Sequence, residues 1–139
     1  YKFGGRVRLA RCFATFLVET IERSFPGIAV VPVPPRPRRQ GPDAVERIAR
    51  LLERQWDFPV HRCLSRTGDV QQKSLDFASR VENLRGRVSI RSSPGSHPVP
   101  TRAVLLDDVF TTGATADACA RALAAAGCER VWSVTLAID

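Results

Sequence analysis

An open, mostly parallel α/β sheet flanked by helices is the fold class this sequence predicts, and three observations point to it. Short apolar runs rich in β-branched residues recur at 28–33, 88–90, 103–109 and 131–138. Between them lie stretches whose apolar residues repeat at helical spacing. The run at 103–109 ends in two adjacent carboxylates and passes through a Gly-containing turn straight into an Ala-rich helical stretch. Strands alternating with helices in this way form a sheet covered by helices. The 139 residues are enough for one domain with a real core, and no internal repeat or linker divides them.

Each element follows in order. Over residues 7–25, Leu9, Phe13, Phe16, Leu17, Thr20 and Ile21 recur at helical spacing until Pro26-Gly27 stops the helix. The run 28–33 is a buried strand that empties into Pro34-Pro35-Arg36-Pro37-Arg38-Arg39. After Gly41-Pro42-Asp43 a second helix carries Val45, Ile48, Leu51, Leu52 and Trp56. A strand is expected over 60–64, an irregular polar stretch over 65–74, a helix over 76–84 and a strand over 88–90. A Pro-, Ser- and Gly-rich loop spans 92–101. The central strand, 103–109, leads into a helix over 115–126 that ends at Gly127, and a last strand fills 131–138. Leu9, Phe13, Phe16, Val45, Ile48, Leu51 and Leu52 are expected in the core, and both Trp56 and Trp132 are expected to pack rather than stack on bases.

Composition narrows the class further. With 44% apolar residues the chain reads as globular, no apolar run approaches a membrane span, and no membrane is expected as a partner. The net charge of +7, much of it Arg, suits polyanionic partners such as nucleic acid, nucleotides or phosphorylated sugars. A solvated basic surface is the plainer alternative. Cys12, Cys63, Cys119 and Cys128 lack the paired spacing of a zinc site. Cys12 and Cys119 fall in apolar helical patterns and are expected to be buried as small hydrophobes. Nothing calls for disulfides, so a reducing cytoplasm is the expected compartment. The opening Tyr1-Lys2-Phe3-Gly4-Gly5, without an initiator Met, reads as a cut into a longer protein.

The chemistry concentrates in residues 104–115, VLLDDVFTTGAT. Gly113 and Ala114 let a backbone approach a phosphate closely, Thr111, Thr112 and Thr115 supply hydroxyls, and the N–H groups opening the next helix add donors and a favourable dipole. A simple helix cap would need only one of those hydroxyls. Asp107 and Asp108, at the exit of an apolar strand, are costly unless they bind something. Vicinal sugar hydroxyls suit them, because an ionised carboxylate only accepts hydrogen bonds. Mg²⁺ held together with ligand oxygens and water suits them equally. A response-regulator acid pocket would need a further Asp and a Lys on later strands, and only about thirty residues remain. A Walker-type loop is excluded because no Gly-Lys-Thr/Ser follows the glycines. In an open parallel sheet ligands bind beyond the C-terminal strand ends at a switch point, so the 107–108 turn and the loop after Val33 are expected to face one crevice. His61 and His97 have no visible partner and receive no catalytic role.

Taken with its flanks, this stretch closely resembles the phosphoribosyl diphosphate (PRPP) motif of type I phosphoribosyltransferases. More narrowly, the chain is similar to the ComF-type (competence protein F), amidophosphoribosyltransferase-like branch of that family. Tyr1-Lys2-Phe3-x-Gly5 resembles the family's entry to its first helix, and Val31-Pro32-Val33-Pro34 its first-strand loop. Gln72-x-x-Leu75, Arg80, Asn83 and Gly86 keep the spacing of a further family segment. The resemblance covers essentially the whole chain. It implies a type I phosphoribosyltransferase-like domain over 1–139, with a small mobile hood at about 60–90. It implies that Asp107 and Asp108 hold the ribose hydroxyls, and Mg²⁺ directly or through water, while Thr111, Thr112, Gly113, Ala114 and Thr115 bind the 5′-phosphate. Pro34, Pro35 and Arg36 would meet the pyrophosphate, and Arg66, Gln72 and Lys73 would belong to the hood. Family members usually carry an upstream cysteine-rich segment, which is absent from this sequence. Two departures stand out: Gly41-Pro42-Asp43-Ala44 replaces a Gly–aromatic–Asn/Asp–Gln run, and Phe77 stands where many members have Arg.

Two functional readings follow. One is an Mg²⁺-dependent transferase that binds PRPP and passes phosphoribosyl to a nitrogen nucleophile with release of pyrophosphate, Asp107 and Asp108 being its catalytic residues. The other is a non-catalytic module sensing PRPP or a nucleotide, linked to DNA uptake in competence or to regulation, for which nucleic acid or the uptake machinery would be the partner.

Overall fold

The computed structural model describes residues 2–35, 43–66 and 88–139. Its elements are α1 (Lys2–Ser24), β1 (Ala29–Pro32), α2 (Ala44–Trp56), β2 (Leu64–Arg66), β3 (Val88–Ile90), β4 (Arg102–Phe110), α3 (Ala114–Ala125) and β5 (Arg130–Ile138). The helix expected over 76–84 and most of the expected hood lie outside the described residues. No helix among the described residues is long and apolar enough to cross a membrane.

The main sheet has the order β1-β4-β5, and both pairings are parallel. On the free side of β1, Val30 makes a parallel bridge to Val60, its N–H donating to the Pro59 carbonyl at 2.8 Å and its carbonyl accepting from His61 at 2.8 Å. The chain therefore leaves β1 in one direction and returns on the other side with β4, which makes the β1/β4 boundary the switch point of the sheet. The strand expected over 60–64 is shorter on this edge than the apolar pattern implies. Only Val60 pairs there, after which the chain turns away and Leu64, Ser65 and Arg66 pair antiparallel with β3. Ser65 and Arg66, expected in an irregular stretch, are thus strand residues.

Period-two alternation along β1 and β4 sorts side chains between two cores. Val30, Val104 and Leu106 pack with α1 and α2, whereas Val31, Val33, Ala103 and Leu105 pack with Cys119 and Leu123 of α3. α2 starts at Asp43, whose Oδ1 accepts from the Val45 N–H at 2.9 Å and the Glu46 N–H at 3.4 Å. Arg62, between α2 and β2, then ties the returning chain back to this helix. Its guanidinium donates to both Glu53 carboxylate oxygens at 2.7 and 2.8 Å, and its Nε donates to Glu46 at 3.2 Å. That fork-to-carboxylate geometry is the strongest form of ion pair available to Arg.

The first helix corrects the predicted core. Ala10, Ala14, Leu17, Val18 and Ile21 form its buried face, while Leu9 is 59% and Phe16 65% exposed. Phe13 is half-buried and Cys12 is exposed, contrary to the expectation for both Cys12 and the Leu9/Phe16 pair. Small residues explain the choice of face: Ala10 and Ala14 let the helix approach its neighbours more closely than Leu9 and Phe16 would allow. Trp132 and Trp56 do pack against the core, Trp132 with its ring centroid 4.6 Å from that of Phe25.

Candidate functional site

β4 carries its acids out of the core in register with the packing below them. Asp107 continues the side of the sheet occupied by Ala103 and Leu105, facing α3, and Asp108 continues the side of Val104 and Leu106, facing α2. The two adjacent carboxylates therefore stand on opposite sides of one strand end. Each also accepts a hydrogen bond that fixes it locally: Asp107 Oδ1 from the Asp108 N–H at 2.8 Å, and Asp108 Oδ1 from the Val109 N–H at 2.9 Å.

β1 delivers its exit loop beside them. The Val33 N–H donates to the Leu106 carbonyl at 2.9 Å, extending the parallel ladder to the last residue before Asp107. Pro34 and Pro35 consequently emerge at the carboxylates and line, with them, a cavity of about 460 Å³. Its far wall is the turn into α3, where Thr111, Gly113 and Thr115 line the cavity. Gly113 is the N-cap of α3 at φ 77° and has no side chain to satisfy the first-turn donors. The start of the helix thus presents donors and the positive end of its dipole to this space. Phe110 closes the turn so tightly that a Cβ on Gly113 would lie 3.2 Å from its ring.

Electrostatics distinguish the two sides. Burial pushes the Asp107 carboxyl above the usual carboxylate range; the Asp108 N–H that it accepts pulls it back, the Asp108 carboxylate pushes it up again, and Arg66 pulls it down. Arg66 closes the cavity from the end of β2, and its Nε is buried without a hydrogen-bond partner among the described residues. A buried guanidinium N–H left unpaired is a donor with an outstanding requirement for an acceptor. Beneath Asp107, burial pushes the Cys119 thiol up to about 12, which makes it an inert filler of the core.

Of the residues singled out in the sequence, Pro34, Pro35, Arg66, Asp107, Asp108, Thr111, Gly113 and Thr115 meet at this cavity. Thr112 and Ala114 belong to the turn but do not line it, and the Thr112 Oγ1 accepts from the Ala114 N–H at 3.4 Å. Arg36, Gln72 and Lys73 lie outside the described residues. Sequence reasoning missed Asp43 and Val45, which line the cavity from the start of α2. The Pro42-Asp43 signal of a helix start was visible, but its position opposite Asp108 follows only from where α2 packs. His61 and His97 stand elsewhere, joining the loop after β3 to the segment between α2 and β2. His61 Nδ1 lies 2.9 Å from the Pro98 carbonyl, and His97 Nδ1 accepts from the Arg62 N–H at 3.3 Å. No cluster of three or more His, Cys, Asp or Glu that could hold a metal occurs among the described residues.

No family model matches the chain. It is similar to competence protein F of Haemophilus influenzae, 30% identical over 116 residues that cover 78% of this chain and 50% of that protein. It is also similar to competence protein ComFC of Streptococcus pneumoniae, 26% identical over 136 residues covering 98% of this chain and 59% of that one. The chain thus spans about half the length of the curated relatives it matches. Among solved structures, a hypoxanthine phosphoribosyltransferase from Staphylococcus aureus aligns with a TM-score of 0.50 at 12% identity, over 93% of this chain and 62% of that one. Identity that low speaks for the fold alone, and the fold is that of the type I phosphoribosyltransferases. In sequence, then, the chain is similar to ComF-type competence proteins, and it shares the fold of the type I phosphoribosyltransferases.

Proposed function

We propose that this domain binds PRPP with Mg²⁺ and transfers its phosphoribosyl group to a nitrogen nucleophile, releasing pyrophosphate. One observation carries the reading: two carboxylates on opposite sides of the β4 end share a cavity with the glycine-capped start of α3 and the exit loop of β1. A phosphorylated pentose needs those features together. Asp107 and Asp108 accept hydrogen bonds from vicinal ribose hydroxyls, while Thr111, Gly113, Thr115 and the first-turn N–H groups of α3 receive the 5′-phosphate. The Pro34-Pro35 loop and Arg66 then face the diphosphate end of the same ligand. Bond cleavage between C1 and the pyrophosphate oxygen accompanies bond formation from C1 to nitrogen, through an oxocarbenium-like transition state. Catalysis by this chain is positioning and charge stabilisation: the acids fix the sugar and favour positive charge on the ring, and the cations favour the departing anion.

The donor set fits Mg²⁺, which takes one or two carboxylates and completes its shell with phosphate oxygens and water. Asp107 and Asp108 would hold it, and when bound it supplies neutralisation of diphosphate charge. The names of the two curated relatives favour a second reading, in which the same pocket senses PRPP or a nucleotide within DNA uptake and does not turn it over. Both readings assign the domain to the cytoplasm, where PRPP and nucleotides are available.

Isothermal titration with PRPP and Mg²⁺, followed by a pyrophosphate-release screen over bases and amines, tests the proposal. Binding with release is expected, with Asp107→Asn and Asp108→Asn each weakening affinity by about tenfold or more. Binding without release for every acceptor supports the sensing role. Equal affinity in the wild type and both variants rules out the pocket under either reading.

A further inference from the structure

The segment between α2 and β2 rounds the free edge of β1 and links two walls of the cavity from behind. Phe58 and Val60 pack with α1 and α2, whereas Cys63 and Leu64 pack with Cys119 and Leu123 of α3. Residues 61–63 therefore cross from one side of the sheet to the other just past the Val30–Val60 bridge. Arg62 sits at that crossing, and Arg66 enters the cavity four residues later. Polar contacts grip the crossing from both directions. Towards α2, the Arg62 Nε donates to Glu46 at 3.2 Å and its two terminal nitrogens donate to Glu53 at 2.7 and 2.8 Å. The Glu46 N–H in turn donates to Asp43 Oδ1 at 3.4 Å, and Asp43 lines the cavity. From the loop after β3, His97 Nδ1 accepts from the Arg62 N–H at 3.3 Å, and the Arg91 N–H donates to the Cys63 carbonyl at 2.7 Å.

We propose that Arg62 is a positioning residue for the cavity: its ties to Glu46 and Glu53 bracket the Asp43 wall against the Arg66 wall and fix where Arg66 stands beside Asp107. The proposal rests on the PRPP reading of the cavity and assigns a role to a residue that does not line it. Three observations carry it. The β2–β3 pair is a sheet of its own, so no continuous ladder sets Arg66 relative to β4. Leu64, Val88 and Ile90 hold that pair to the core by apolar contact, which is non-directional. A guanidinium forked onto a carboxylate fixes both distance and orientation. Arg66 does not anchor its own side chain through Nε, which is buried without a hydrogen-bond partner among the described residues. Its place follows from the backbone that carries it. Four extended residues span about 13 Å, so Arg62 acts through that backbone and not on the ligand. Arg suits the bracket because one planar group meets both glutamates at once.

Isothermal titration of the 139-residue chain with PRPP and Mg²⁺ tests this, on variants that circular dichroism shows to be folded at the assay temperature. Arg66→Gln is expected to weaken affinity about tenfold, and Arg62→Gln about fivefold although it touches no ligand group. The double variant binds about as weakly as Arg66→Gln alone, because displacing a side chain already removed costs nothing more. An Arg62 that only stabilised the fold would lower Tm, leave the affinity of the folded protein unchanged and show no such coupling. Arg62→Lys keeps the charge without the fork and is expected to fall between wild type and Arg62→Gln. It carries the same comparison if Arg62→Gln does not fold. A second measurement needs no ligand: phenylglyoxal modification of Arg66, followed by peptide mass spectrometry, speeds up about threefold or more in Arg62→Gln. Wild-type affinity together with an unchanged Arg66 modification rate overturns the proposal, and so do losses that add in full in the double variant. If the wild type itself binds no PRPP, the reading of the cavity falls, and the Arg66 modification rate alone decides for or against the bracket.

Discussion

Gly113 holds two requirements at one residue. Its φ of 77° belongs to the left-handed region, and a Cβ would press on the Phe110 ring at 3.2 Å. Gly113→Ala is therefore expected to lose about 1–3 kcal/mol, measured by denaturant melts, and to weaken PRPP binding by distorting the start of α3. Asp107 is the opposite case, a residue whose native environment works against folding. Burial raises its carboxyl above the ordinary range, so ionised Asp107 costs stability at neutral pH, and that cost is relieved as pH falls through its folded value. The proposed PRPP binding needs the ionised form, so affinity is expected to fall over the same interval. Asp107→Asn is thus expected to raise Tm by about 1–3 °C while weakening PRPP affinity by about tenfold or more, a separation that calorimetry on the free and PRPP-titrated variant reads directly. A fall in Tm would mean that Asp107 is stabilising in the unliganded fold.

At the scale of elements, the placement of α2 rests on its polar ends as much as on its apolar stripe. Asp43 caps the helix, and Arg62 binds Glu53 and Glu46 from the neighbouring segment. The hydrogen-bonded Arg62 guanidinium holds the Glu53 carboxyl below the usual range. A carboxylate with a depressed folded value stabilises above its unfolded value and loses that contribution as pH falls through the folded one. Acid titration of thermal stability should therefore show a limb below about pH 4.5, the ordinary Glu range, and Glu53→Gln should flatten that limb while lowering stability at neutral pH. An unchanged acid limb would show that the pair is energetically silent. α1 illustrates why helical periodicity alone misplaced part of the core. Its two stripes have the same spacing, and both satisfy the test for an amphipathic face. Side-chain size settled the matter, since Ala10 and Ala14 permit the close approach that Leu9 and Phe16 prevent.

For the whole molecule, the parallel sheet, the alternation of helices and the acid-to-helix turn at residues 107–115 were legible because each is encoded locally. Apolar period, Gly and Pro punctuation and adjacent carboxylates act through neighbours a few residues away. The pairing of Leu64–Arg66 with β3, the position of Arg66 opposite Asp107 and the entry of Asp43 into the cavity were not legible. Each depends on where distant segments meet, and no local pattern records that meeting. Arg66 lies 41 residues from Asp107 along the chain and Asp43 lies 64 away, and only the packing of β2 and α2 around the switch point brings them to one space. By itself the sequence determined the fold class and the chemistry available at the end of β4, because hydrogen-bonding groups and strand parity are properties of short stretches. Tertiary structure alone decided which cation stands against the acids, which helix start faces them across the cavity and which stripe of α1 is buried. Those are outcomes of competition for the same core space, and close packing resolves that competition only when every element is in place.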